Sequence, residues 1–218
     1  MEIQKDSHSK KVYRKISRFR RDAIINFIDI PNAKILDIGC ADGSMGMAIK
    51  NTIPSIVYGL DISKEAVEIA RKRLDDAHEC DIENWKFEWL DTIKRNKYDY
   101  IILSEVLEHT VSPENILSRV QGILNREGYL LVTTPNILFW KNRMKMFLGK
   151  FEYTEEGLMD HSHVHFFSWR TLVNALEKAG FEIVETNHHA PTRGTRFFRN
   201  MFPGFFAYQF ILKARPKK

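Results

Sequence analysis

A chain of 218 residues is long enough for one domain with a large core and too short for two generous ones. Its 44% hydrophobic and 28% charged residues exclude a disordered or fibrous chain, and no apolar run approaches the roughly 20 residues that span a bilayer. The net charge of +5 is mild, and its excess sits in Lys10-Lys11, Arg14-Lys15 and residues 18–21 and 213–218. Such runs read as solvated faces, with contact to nucleic-acid or lipid phosphates as the alternative. Two cysteines, Cys40 and Cys80, are too few for a disulfide framework. With a charged N-terminal region lacking a signal-peptide core, they point to the reducing cytoplasm.

Residues 1–10 show no periodicity and read as a loose tail before a single domain over 11–218. Across 11–28, Val12, Ile16, Phe19, Ala23 and Phe27 recur at helical spacing, giving an amphipathic helix with a basic outer face, broken at Pro31-Asn32. Ile35, Leu36 and Ile38 read as a buried parallel strand. A turn holding Gly39 and Gly43 follows, then a helix opening on Met45. Strand, glycine turn and helix bring backbone N–H groups close to a ligand with no side chain between. Asp37 aims a carboxylate into the same crevice, which would repel a pyrophosphate and favour a ligand bearing positive charge or hydroxyls. A second strand ends at Asp61, an acid suited to accept from both hydroxyls of a ribose. Ser63 caps the next helix, which runs to about Asp75, and a third short strand ends near residues 78–83. Residues 97–104 and 128–134 are the fourth and fifth strands, joined by a helix that Pro113 opens and Ile116, Leu117, Val120 and Leu124 line. Beyond Asn136 a basic, aromatic helix over 137–150 and a loop over 151–167 precede a helix capped at Ser168 and stopped at Gly180. Residues 181–186 and 207–214 are the last strands, with a long connection over 187–206.

Through ILDIGCADGSMG and GLDIS the chain resembles the class I S-adenosylmethionine-dependent methyltransferases, over roughly residues 13–215. The likeness implies an α/β Rossmann-like fold: a mostly parallel seven-stranded sheet, an antiparallel last strand, and helices on both faces. It places the first helix over the cofactor pocket and makes 136–168 an acceptor-side insertion or lid. It implies that Asp37, Gly39, Cys40, Ala41 and Gly43 seat the methionine part, with Ser104 beside them. Asp61 and Ile62 would hold the ribose. Asp81 would accept from the adenine amine and Ile82 would pack on the ring, with Asp91 as the competing acid. Ala41 stands where a glycine is commonest, which a negative φ would tolerate.

Chemistry should come from loops at the C-terminal edge of the sheet. After the fourth strand, Glu105, Glu108 and His109 lie at i, i+3 and i+4 and would converge on one helical turn. The E-x-x-E-H spacing resembles the metal-assisted O-methyltransferases of ubiquinone synthesis and of small-RNA 3′ ends. A divalent metal on these three residues is the alternative to an acid/base or structural role. Asp160 and His163 are the second pair, in a segment where His161, His163 and His165 would share a face if extended and a turn at Ser162 would bring Asp160 round to His163. That segment resembles bacterial methyltransferases associated with cell-surface glycans and with methionine-biosynthesis-type proteins. The aromatic residues 197–210 read as packing, a pocket wall or a peripheral membrane patch. The expected activity is O-methylation of a small molecule such as a sugar or glycan precursor. The alternatives are metal-assisted methylation of an RNA 2′-hydroxyl or a quinone-type phenol, and a non-catalytic cofactor- or RNA-binding module.

Overall fold

The computed structural model describes residues 16–85, 97–191 and 197–217. Each apolar run found above becomes a strand because its side chains alternate between two buried faces. The strands are β1 (Ala33–Ile38), β2 (Ser55–Asp61), β3 (Asp76–Glu79), β4 (Tyr98–Ser104), β5 (Leu124–Pro135), β6 (Phe181–Thr186) and β7 (Gln209–Pro216). They form one sheet in the order β3-β2-β1-β4-β5-β7-β6. β1 to β5 pair in parallel, and β7 runs antiparallel between β5 and β6. Leu36, Ile38, Ile101 and Leu103 face one core layer, while Ile35, Tyr100 and Ile102 face the other.

The helices are α1 (Arg18–Asn26), α2 (Ser44–Lys50), α3 (Lys64–Ala70), α4 (Pro113–Ile123), α5 (Trp140–Phe147), α6 (Trp169–Lys178) and the short α7 (Pro203–Phe206). Ala23, Ile49, Val67 and their neighbours on α1 to α3 fill one layer, and Ile116, Leu117, Leu172 and Leu176 on α4 and α6 fill the other. The expected start of the first helix, residues 11–15, lies outside the described residues, as does most of the connection over 85–95. Leu124 departs from expectation: it turns extended at the end of α4 and pairs with Tyr98 as the first residue of β5. α6 carries a capping box between Ser168 and Thr171.

Register decides what shares an edge. Ile38 lies beside Leu60 and Leu103, and Ser104 beside Thr133. The residues that follow β1, β2, β4 and β5 therefore open into one crevice at the C-terminal end of the parallel strands.

Candidate active site

The glycine turn is built by three left-handed residues, Gly39 (φ 73°), Ala41 (φ 46°) and Gly43 (φ 77°). The expectation of a negative φ at Ala41 is overturned. The loop needs the left-handed step there to point the Ala41 N–H at Asp61 Oδ2, 2.8 Å away. The peptides of Gly39 and Cys40 both donate to Leu60 O, at 2.7 and 3.0 Å, and lock the turn onto β2. A Cβ on Gly39 would meet Val106 Cγ2 at 2.5 Å. Cys40 turns its thiol into the core, where burial raises its pKa, so only its peptide borders the crevice.

Asp61 Oδ1 accepts from Ser63 N–H at 2.9 Å. Each of its oxygens thus has a backbone donor, which fixes the carboxylate at the mouth of the glycine turn. Asp37 is 2% exposed, and its Oδ2 has no hydrogen-bond partner. Burial, and then the charge of Asp61, push its carboxyl up to about 7, while Arg20 pulls it down. A buried carboxylate oxygen with nothing to accept from is an open place for a cation, and the ammonium of an amino acid fits it. Asp81 stands two residues beyond the end of β3, with Oδ1 accepting from Glu83 N–H at 2.9 Å and Oδ2 from the Asn84 amide at 2.8 Å. Ile82 is half-buried against the core, and Ile62 is half-buried beside Asp61. Ser104 Oγ lies 3.2 Å from Thr133 Oγ1. The competing Asp91 lies outside the described residues.

After β4 the chain does not continue as a single α-turn. Glu105 is left-handed (φ 59°), and a 3-10 turn, Leu107–His109, follows. The kink sends the two carboxylates different ways. Glu105 pairs with Arg20 of α1 at 3.3 Å and accepts from Thr133 Oγ1 at 3.1 Å. Glu108 is 1% exposed, accepts from Thr134 Oγ1 at 3.1 Å, and leaves Oε1 without a partner. Burial, then the nearby Glu105, hold its carboxyl well above the usual range. His109 Nδ1 sits 3.1 Å from Ser162 O, and since a carbonyl only accepts, Nδ1 is the donor there.

The loop before α6 is tied to this turn. The N–H groups of Val164 and His165 both donate to Glu108 O, at 2.8 and 2.9 Å. His165 Nδ1 donates to Thr110 O at 2.8 Å. The Asp160 carboxylate accepts from the N–H and hydroxyl of Ser162, at 2.9 and 2.7 Å, and its carbonyl from His163 N–H at 3.0 Å. This turn means that the three histidines do not line one face. His161 points outward, 3.8 Å from Glu155, whereas the His163 ring lies 4.9 Å from that of His109. One ligand atom each from Glu108, His109 and His163 fall within 4.8 Å of one another. Beside them Pro135, Ile137, Leu158, Phe166 and Phe167, with Glu108, His163 and His165, line a cleft too tight in this structure to admit a water molecule.

Sequence reading missed Arg20 and the threonine pair. Arg20 looked like any residue of a basic outer face, and only the packing of α1 sets it against Glu105. Thr133 and Thr134 did carry a signal, as polar residues at the C-terminal end of a buried strand.

Residues 9–186 match a family described as a methyltransferase domain. The chain is 27% identical over 168 residues to a ubiquinone biosynthesis O-methyltransferase of Burkholderia thailandensis, covering 74% of this chain and 71% of that protein. It is 30% identical to the corresponding protein of Glaesserella parasuis over 109 residues, 47% of this chain and 45% of that protein. Among solved structures, magnesium protoporphyrin IX methyltransferase from Synechocystis, with bound S-adenosylhomocysteine, superposes with a TM-score of 0.68 at 18% identity, covering 100% of this chain and 99% of that one. A Mesorhizobium loti S-adenosylmethionine-dependent methyltransferase gives 0.64 at 17% identity, covering 89% and 95%. Glycine turn, paired strand-end acids, strand order and family match agree: the chain belongs to the methyltransferase-domain family and is a class I S-adenosylmethionine-dependent methyltransferase.

Proposed function

We propose that the enzyme methylates a hydroxyl of a small, largely apolar acceptor, a phenol of the quinone-precursor type, assisted by a divalent cation at Glu108, His109 and His163. The observation that carries this reading is the meeting of a buried carboxylate having one unpartnered oxygen with two imidazoles beside an apolar wall. One carboxylate and two imidazoles are a donor set that suits Mg²⁺, Mn²⁺ or a later transition ion. Bound there, the ion would lower the pKa of an acceptor hydroxyl. A sugar would leave several hydroxyls unpaired against Pro135, Ile137, Leu158, Phe166 and Phe167, whereas an aromatic ring would not. The names of the ubiquinone-pathway relatives support the same choice.

In this reading S-adenosylmethionine supplies the electrophilic methyl group. Asp37 takes the methionine ammonium at Oδ2, Asp61 the ribose hydroxyls, and Asp81 the adenine amine, with Ile82 against the ring. Arg20 neutralises Glu105, so that Glu105 and Glu108 do not face each other bare. His109 keeps its proton on Nδ1 against Ser162 O, which orients the ring. Residues 136–168 act as an acceptor-side lid on a single domain, pinned by Ile137 N–H to Phe167 O and by Val164 and His165 to Glu108. It excludes water from the displacement.

The test is methyl transfer from S-adenosylmethionine to catechol-type and sugar acceptors, with EDTA and then with Mg²⁺ or Mn²⁺ restored. Activity on the phenol should vanish with EDTA and return with metal. Glu108→Gln and His163→Ala should abolish turnover while retaining S-adenosylhomocysteine binding. Full activity in EDTA, or turnover of sugars alone, would overturn the reading.

A further inference from the structure

Beside the crevice the molecule carries apolar side chains that none of the described residues covers. Phe147, at the end of α5, is 83% exposed, and Leu148 is 65% exposed. Met144, one turn before them, is also exposed, as are Met201, Phe202 and Phe205 around α7. The two segments are one surface. Arg143 lies one helical turn from Phe147, stacks over the Phe205 ring at 5.3 Å and donates to Gly204 O at 3.1 Å. Both leave the C-terminal edge of the sheet, α5 after β5 and α7 before β7.

The charge on this surface has one sign. Residues 137–151 contain Lys141, Arg143, Lys145 and Lys150 and no acid, and all four are exposed. Residues 197–206 contain no acid. Glu152, Glu155 and Glu156 follow in the next loop, so the basic band ends at Lys150. Exposed Phe, Leu and Met side chains set among Lys and Arg are the chemistry of a segment lying in a lipid interface, with rings among the acyl chains and cations at the headgroups. Among the described residues no helix is long and apolar enough to cross a membrane. The surface therefore suits lying on a bilayer rather than crossing one.

We propose that α5 and the α7 segment together dock the enzyme on an anionic phospholipid surface, with the lid side of the crevice towards the bilayer. Docking of this kind stands whatever the acceptor is. That it presents an apolar acceptor to the crevice rests on the function proposed above.

The test is co-sedimentation of the full chain with vesicles of phosphatidylcholine alone and of phosphatidylcholine mixed with phosphatidylglycerol. Binding should require the anionic lipid and weaken in high salt. Replacing Lys141 and Lys145 by Gln should weaken it about fivefold per residue. The double variant Phe147→Ser/Leu148→Ser should weaken it by about tenfold or more, since exposed side chains are removed and the fold is untouched. Unchanged melting temperature and S-adenosylhomocysteine affinity would establish that these variants are folded. No sedimentation with mixed vesicles, or equal binding by the serine variant, overturns the proposal. A wild-type dimer in analytical ultracentrifugation that the serine variant dissociates, with no vesicle binding, would assign the surface to a second copy of the chain and overturn it as well. The readout is binding, so it fails independently of any acceptor assay.

Discussion

Asp37→Asn puts the central electrostatic argument at risk, because it should strengthen the ligand-free fold and weaken the liganded one. The Asp37 carboxyl is displaced from 3.8 to about 7 by burial and by Asp61. That displacement corresponds to about 4 kcal/mol against the ionised form. The folded protein holds this proton where the unfolded chain has released it. The group's contribution to stability is therefore complete below about pH 4 and is lost as pH rises to about 7. Asparagine never ionises, but its buried amide would leave a donor unsatisfied, at about 1–3 kcal/mol. Without ligand, the variant should therefore be more stable than wild type by about 1–3 kcal/mol near pH 8, and no more stable near pH 4. Cofactor binding should move the other way. Loss of a charge-assisted hydrogen bond to the ammonium is worth about 1.5–3 kcal/mol, or roughly tenfold to a hundredfold in affinity. Denaturant unfolding at the two pH values and calorimetric titration with S-adenosylhomocysteine measure both. A variant less stable than wild type near pH 8, or one with unaltered affinity, would refute the reasoning.

Asp61→Ala should weaken S-adenosylhomocysteine about a hundredfold, because Asp61 also holds the N–H groups of Ala41 and Ser63 that shape the loop; calorimetry reads it. Gly39→Ala should destabilise by about 2–3 kcal/mol, from its left-handed φ and the 2.5 Å approach to Val106, in denaturant melts. Ala41→Gly should be neutral or stabilise by up to about 1 kcal/mol, because the strain at φ 46° is relieved while the unfolded chain gains freedom. Burial lowers the His188 imidazole from 6.5 to about 4, so its contribution is lost as pH falls between those values, by about 3 kcal/mol. His188→Phe should flatten that acid limb when stability is followed from about pH 7 to about pH 4.

Much of this protein was legible before folding. The runs that became β1, β2, β4 and β5 are apolar on both faces, and only a strand between two helical layers makes use of that. Asp37 and Asp61 were readable because a strand end fixes where the next side chain can point. The long-range pairings were not readable. Nothing local marks Arg20 as the partner of Glu105, which lies 85 positions away along the chain.

The E-x-x-E-H segment shows the same division more sharply. Its spacing predicts two acids and an imidazole converging on one helical turn after the fourth strand, and the chain there is not such a turn. Helical periodicity presumed regular φ and ψ, and the left-handed Glu105 breaks that presumption. The break is tied to tertiary structure, through Arg20 and Thr133 on one side and the loop bonded to Glu108 O on the other. By itself, then, the sequence determined the layers, the strand-end acids and the glycine turn, since each depends on neighbours within a few residues. Only the tertiary structure decided which histidine joins Glu108, that Ala41 is left-handed, and which aromatic residues stay uncovered. Each of those depends on segments that meet in space and carry no mark of it along the chain.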